Sequence, residues 1–185
     1  MCIRDRAIIL WFGWFGFNGG ANGSMDLRIP LILINTFLSA SAGLVLSSIM
    51  GIFVMKKPEP MFMITGPIAG LVSITASCAY VEPTQAIIIG SVSGLGIILL
   101  EKIKVDDVVS AVPVHLFAGT WATIAVAIFA DLEAMGIERS PLDQLYIQLI
   151  GIVSIGAFCF VSAFGIFFVI NLIFKLRVNK VQEDL

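Results

Sequence analysis

Along this chain, long apolar runs alternate with short clusters of charge, glycine, proline and asparagine. About twenty apolar residues in helical form cross a hydrocarbon core of roughly 30 Å. On that measure the pattern predicts six membrane helices, over residues 7–21, 30–55, 62–79, 84–100, 108–130 and 145–174. The first is short and closes on glycines and asparagines. Pro30 opens the second at a first-turn position, where its missing N–H costs nothing. Gly66, Pro67 and Gly70 interrupt the third.

The charges between the runs orient this arrangement. Arg4, Arg6, Lys56, Lys57, Lys102, Lys104, Lys175, Arg177 and Lys180 fall on one side of a six-helix topology, and only Arg28 and Arg139 on the other. Cationic loops stay in the cytoplasm, so both ends are expected to be cytoplasmic, in a multi-pass protein of the cell membrane. The division is a leader of doubtful origin at 1–6, a membrane domain at 7–174 and a short tail at 175–185.

Composition supports the class. Of the 185 residues 58% are hydrophobic and 13% charged, with mean hydropathy +1.01, where soluble domains carry about 25% charge. The expected fold class is an all-α integral membrane protein. A net charge of -2 offers no basic field for nucleic acid. Cys2, Cys78 and Cys159 are scattered, without metal-ligand spacing. The chain carries no P-loop, zinc motif, serine elbow or dinucleotide fingerprint, so no cofactor, metal or enzymatic activity is expected. Small-residue stretches at 39–43 and 90–96 permit close helix contact inside lipid.

Three groups of residues could carry chemistry. His115 is the single histidine and lies inside the fifth run; an ionisable group at membrane depth is expensive and is a functional hypothesis by default. At helical spacing it shares a small-residue face with Ala111, Ala118, Ala122 and Ala125, and Gly119 lies one turn on. Pattern alone leaves two readings open, a proton-handling group or a neutral histidine bonded to a neighbouring helix. Trp14, Phe17 and Asn18 stand among glycines, including Gly19 and Gly20, in an aromatic run that suits either an interfacial belt or a constriction. Asp106 and Asp107 precede the fifth run, where carboxylates interact favourably with a helix dipole.

GWFGFNGG at 13–20, GPIAGLVSITASCAYVEP at 66–83, VDDVVSAVPVHLFAG at 105–119 and the tail FKLRVNKVQEDL together resemble the carboxyl-terminal half of the ammonium transporter family. The resemblance implies a homotrimer whose subunits each have eleven helices in two inverted halves. It implies that this chain is a fragment supplying the last six. It places His115 as the second of two pore histidines that handle deprotonation and passage of ammonium, and Phe17 at a phenylalanine gate. Trp14, Asn18, Gly19, Gly20 and Gly119 then support or pack around the pore. The family commonly has a serine, which helps hold the incoming cation, at the position of Ala21. The resemblance also implies a soluble nitrogen-sensing regulatory partner, to which the short tail is poorly suited. The competing expectation is an incomplete or non-transporting membrane module with a structural or sensory role.

Overall fold

The computed structural model describes residues 3–56, 59–101, 107, 109–174 and 176. Its described elements are all helical: α1 (Ile3–Ala21), α2 (Ile29–Met55), α3 (Pro60–Ile74), α4 (Pro83–Glu101), a π-helical turn (Val112–Phe117) that runs into α5 (Ala118–Phe129), and α6 (Pro141–Ile173). Asp106 and, apart from Leu176, the tail at 175–185 lie outside the described residues.

The expectation of six membrane helices, and with it the match to the last six of an eleven-helix fold, is corrected here. Four helical stretches are long and apolar enough to cross a membrane among the described residues: Ile29–Val54, Pro83–Leu100, Val112–Phe129 and Pro141–Ile173. The third predicted span fails on length. α3 has 15 residues, about 22 Å of helix against a core of roughly 30 Å. Beyond Ile74 the chain leaves the helical path in tight turns, with Thr75 N–H donating to Val72 O at 3.3 Å and Tyr80 N–H to Ser77 O at 2.8 Å. The first span fails on composition, because Arg4, Asp5 and Arg6 occupy the first turns of α1. The four remaining helices still make the chain a multi-pass membrane protein.

The chain divides into two compact units, Met1–Leu145 and Tyr146–Leu185. In the first, α2 lies against α3 and α4, and the contact is made by backbone. A Cβ on Gly70 of α3 or on Gly90 of α4 would collide with the carbonyl of Ser39 on α2. One on Gly43 would lie 2.5 Å from Gly66 O, and one on Gly94 2.7 Å from Gly43 O. Ser39 Oγ donates to Gly70 O at 2.7 Å and Ser47 Oγ to Phe62 O at 2.9 Å, so hydroxyls on the seam bond facing carbonyls. Glycines remove the side chains that would hold helices apart where lipid supplies no hydrophobic drive to associate.

Asn35 fixes the α3–α4 connection to α2. Its buried Nδ2 donates to Cys78 O at 2.9 Å and to Val81 O at 2.7 Å. Around this clamp Ile32, Ile74, Val81, Ala86, Ile89 and Ala125 form one apolar cluster. A second, of Phe62, Ala69, Ile97, Ile98, Val114 and Ala118, closes the other end of the helix group. Trp121 Nε1 donates to Ile89 O at 3.0 Å and ties α5 to α4.

In the second unit α6 is apolar and exposed, with Phe160, Phe164 and Phe168 stacked along one face at ring-centroid distances of 6.3 Å. This one-turn spacing brings side chains four residues apart together.

The seam makes a direct prediction. Gly90→Ala places a methyl group against the Ser39 carbonyl and should destabilise the protein by about 1–3 kcal/mol. Gly156→Ala, with nothing within 4 Å of the new atom, should be neutral or better. Thermal unfolding of both variants in lipid nanodiscs checks the contrast; equal midpoints would contradict the seam.

Candidate functional site

The aromatic and glycine run lies in the second half of α1. Trp14 and Phe17, three residues apart, share a face, and their rings sit 5.7 Å apart at 55°. Trp14 Nε1 donates to Thr75 Oγ1 at 2.9 Å, and that hydroxyl donates to Leu71 O at 2.7 Å. The indole therefore faces the end of α3, while Phe17 is exposed. Asn18, one turn on from Trp14, is buried; its Nδ2 donates to Thr36 Oγ1 at 2.9 Å, and its Oδ1 has no partner among the described residues. Gly19 packs beside Leu33, and Gly20 has open space around it. Nothing in the sequence pattern singles out Thr36 or Thr75; they are found only by folding.

Where α1 ends, a polar cavity of about 390 Å³ opens between the loop after α1 and the turn after α3, with Asn18, Ala21, Asp26, Arg28, Thr75 and Tyr80 in its lining. Asp26 organises the loop. Its carboxylate accepts from Arg28 N–H at 2.9 Å, Ser24 Oγ at 2.9 Å and Asn22 Nδ2 at 3.1 Å. These bonds, the backbone one first, hold its pKa below the ordinary carboxylate value. The Arg28 guanidinium lies 5.4 Å from the Tyr80 ring centroid and donates to Tyr80 Oη at 3.3 Å.

His115 lies in the π-helical turn Val112–Phe117. Such a turn takes in one more residue than an α-turn and often marks a functional site. Here Ala118 N–H reaches back to Pro113 O. The turn begins in unusual backbone: Ser110 is buried and has a φ of 55°, a left-handed conformation uncommon without glycine. Asp107 supports it with both oxygens, Oδ1 accepting from Ala111 N–H at 2.9 Å and Oδ2 from Val112 N–H at 2.6 Å. The Val112 bond leads the causes that lower the Asp107 pKa, against a desolvation cost that would raise it. His115 itself is exposed, and so is Ala111, while Ala118, Ala122 and Ala125 are buried. The single small-residue face expected from helical spacing is thus split at the π-turn. A Cβ on Gly119 would meet nothing within 4 Å.

The structure brings Trp14 and Phe17 together but not with His115. Among the described residues α1 packs on α2 and α3, and the π-turn packs on α3, α4 and α5. α3 is the element common to both groups. No group of three or more histidine, cysteine or carboxylate side chains that could hold a metal occurs among the described residues.

The sequence model of the Ammonium Transporter Family matches residues 7–185. This chain belongs to that family. It is 40% identical over 192 aligned residues to the ammonium transporter Amt2 of Archaeoglobus fulgidus, an alignment covering 96% of this chain and 41% of the relative. It is 33% identical to the ammonium transporter of Bacillus subtilis, over 96% of this chain and 46% of that protein. Among solved structures it resembles one described as a Sensor Amt Protein, with a TM-score of 0.88 and 35% identity across 96% of this chain and 45% of the other. Against Saccharomyces cerevisiae Mep2 the TM-score is 0.81 at 28% identity, over 90% of this chain and 42% of that one. The chain therefore spans less than half the length of these relatives. The Ammonium Transporter Family is one of transporters, not of enzymes.

In this family member, Asp107 gives a prediction about the histidine-bearing turn. Its folded pKa is lowered, so its stabilising contribution is complete above the ordinary carboxylate value of 3.8 and is lost as pH falls through the lower folded value. Between roughly pH 5 and 8 this group adds no pH dependence. Asp107→Ala should remove about 1 kcal/mol of local stability, as loss of a cap does. Hydrogen exchange should accelerate at the amides of Ala111 and Val112; unchanged exchange there would mean that the carboxylate is not the cap.

Proposed function

We propose that this chain contributes to passage of ammonium or ammonia across the cell membrane, with His115 handling the proton and Phe17 gating the approach. The observation that carries the reading is the family match over residues 7–185, which includes both the histidine and the aromatic run. The physical case begins with desolvation. An ammonium ion entering an apolar passage loses hydration worth many kcal/mol, and parting from its proton removes most of that cost. An imidazole is suited to take up or relay the proton because histidine changes charge near neutral pH. His115 is exposed at the surface of its helix group and not enclosed in it, which leaves the ring available to a passing solute.

In this reading Trp14 and Asn18 hold the end of α1 in place through Thr75 and Thr36, with Gly19, Gly20 and Gly119 supporting or packing around the route. Phe17 projects from the same turns. The polar cavity bounded by Ala21 and Asp26 is the region from which a cation would enter. The charge pattern supports cytoplasmic ends, and assembly of the working transporter as a homotrimer is what membership of the family implies. A soluble nitrogen-sensing partner belongs to the same proposal and rests on the family alone.

A second reading has one specific support: the similar solved structure described as a sensor. A sensory member would bind ammonium without carrying it at a useful rate.

The test is ammonium-driven flux in proteoliposomes of the protein expressed from its native gene, with and without His115→Ala. Flux should fall by about a hundredfold or more in the variant, the usual range for a lost proton-transfer group. Equal flux and selectivity would remove His115 from the mechanism. Binding without flux in the unaltered protein would favour the sensory reading.

A further inference from the structure

On a continuous α-helix, residues three and four positions apart share a face. In α5 the buried positions Ala118, Ala122 and Ala125 keep that spacing. Continued upstream, the same face would take in both Val114 and His115. Instead the buried residues there are Pro113 and Val114, five and four positions before Ala118, and both His115 and Leu116 are exposed. The additional residue of the π-turn is therefore what turns the imidazole out of the helix group. Two features bound that turn. At its start the Asp107 carboxylate holds the N–H groups of Ala111 and Val112. At its end Phe117 meets Gly96 of α4: a Cβ on Gly96 would collide with Cε1, Cδ1 and Cζ of the Phe117 ring. Gly96 is itself buried, and Ile97 and Ile98 beside it pack with Val114 and Ala118. The ring thus occupies a notch that only glycine leaves open, directly where the wide turn hands over to α5.

We propose that Phe117 and Gly96 are positioning residues for His115: the ring seated in the glycine notch fixes where the π-turn ends and so sets the direction in which the imidazole points. This rests on the proton-handling role given to His115 above, but it makes a separate claim about geometry. Neither residue needs to touch the solute. Their effect passes through the backbone of the six residues Val112–Phe117.

The experiment uses the protein expressed from its native gene, reconstituted in lipid with isotope-labelled histidine, the His115 imidazole signal being assigned by its loss in His115→Gln. Phe117→Ala removes the ring without creating a clash. It should displace the His115 signal and cut maximal ammonium flux roughly tenfold, while the half-saturating concentration stays within about threefold, the signature of a lost interaction at the transfer step and not in binding. Gly96→Ala should displace the signal as well. Gly96→Ala with Phe117→Leu, where the smaller side chain returns the room, should restore both signal and flux. A signal in Phe117→Ala unmoved from its native position overturns the proposal, and so does a double variant no closer to native than Gly96→Ala. If Gly96→Ala fails to accumulate in the membrane, the Phe117→Ala signal decides alone. Should His115→Ala leave flux intact, the transport role of the histidine falls, while the signal in Phe117→Ala still decides whether the ring sets its direction.

Discussion

Backbone-to-backbone contact at Ser39 is the constraint on which the first unit depends. Two helices reach the same stretch of α2, α3 through Gly70 and α4 through Gly90, each close enough that a methyl group would strike the Ser39 carbonyl. In water such contacts would be a minor addition to hydrophobic burial. Within lipid, where an apolar side chain is equally well solvated by hydrocarbon, dispersion and hydrogen bonds at short range are what distinguish one helix arrangement from another. Ser39 Oγ adds a bond to Gly70 O along the same line. The position of α4 then fixes Gly96, and through it the place where Phe117 comes to rest.

A comparable economy governs the two groups of candidate functional residues. Each depends on α3 without belonging to it. Trp14 reaches it through the Thr75 hydroxyl, and the π-turn packs directly against it. Pro67 within α3 removes one helical N–H, and the resulting gap in the hydrogen-bond ladder falls in the element that both groups share.

Much of this was legible from the chain, and the failures have particular causes. The helical class and the four long helices follow from run length and composition, which lipid makes decisive. The family was legible from three motifs and the tail. The pairing of Trp14 with Phe17 follows from local spacing, and the placement of Asp107 before the histidine-bearing segment follows from the preference of carboxylates for helix starts. The way the chain turns after α3 does not, because that turn is tied to α2 by Asn35, 43 and 46 residues away from the carbonyls it holds, and no local window contains that clamp. Thr75 is likewise 61 residues from the indole it accepts from. The face occupied by His115 does not follow from a 3.6-residue period, because that period breaks in a segment that contains Pro113 and begins at a left-handed serine.

The length of α6 has a consequence of its own. Its 33 residues make about 50 Å of helix, whereas the hydrocarbon layer is roughly 30 Å thick. Tilts of up to about 40° shorten the projection of such a rod to no less than about 38 Å. The first turns carry Asp143, Gln144 and Gln148 and suit the headgroup layer, while the long apolar remainder is accommodated by tilt or by local thickening of the bilayer. α6 is thus a thickness gauge, and membranes of different acyl-chain length impose on it different elastic costs.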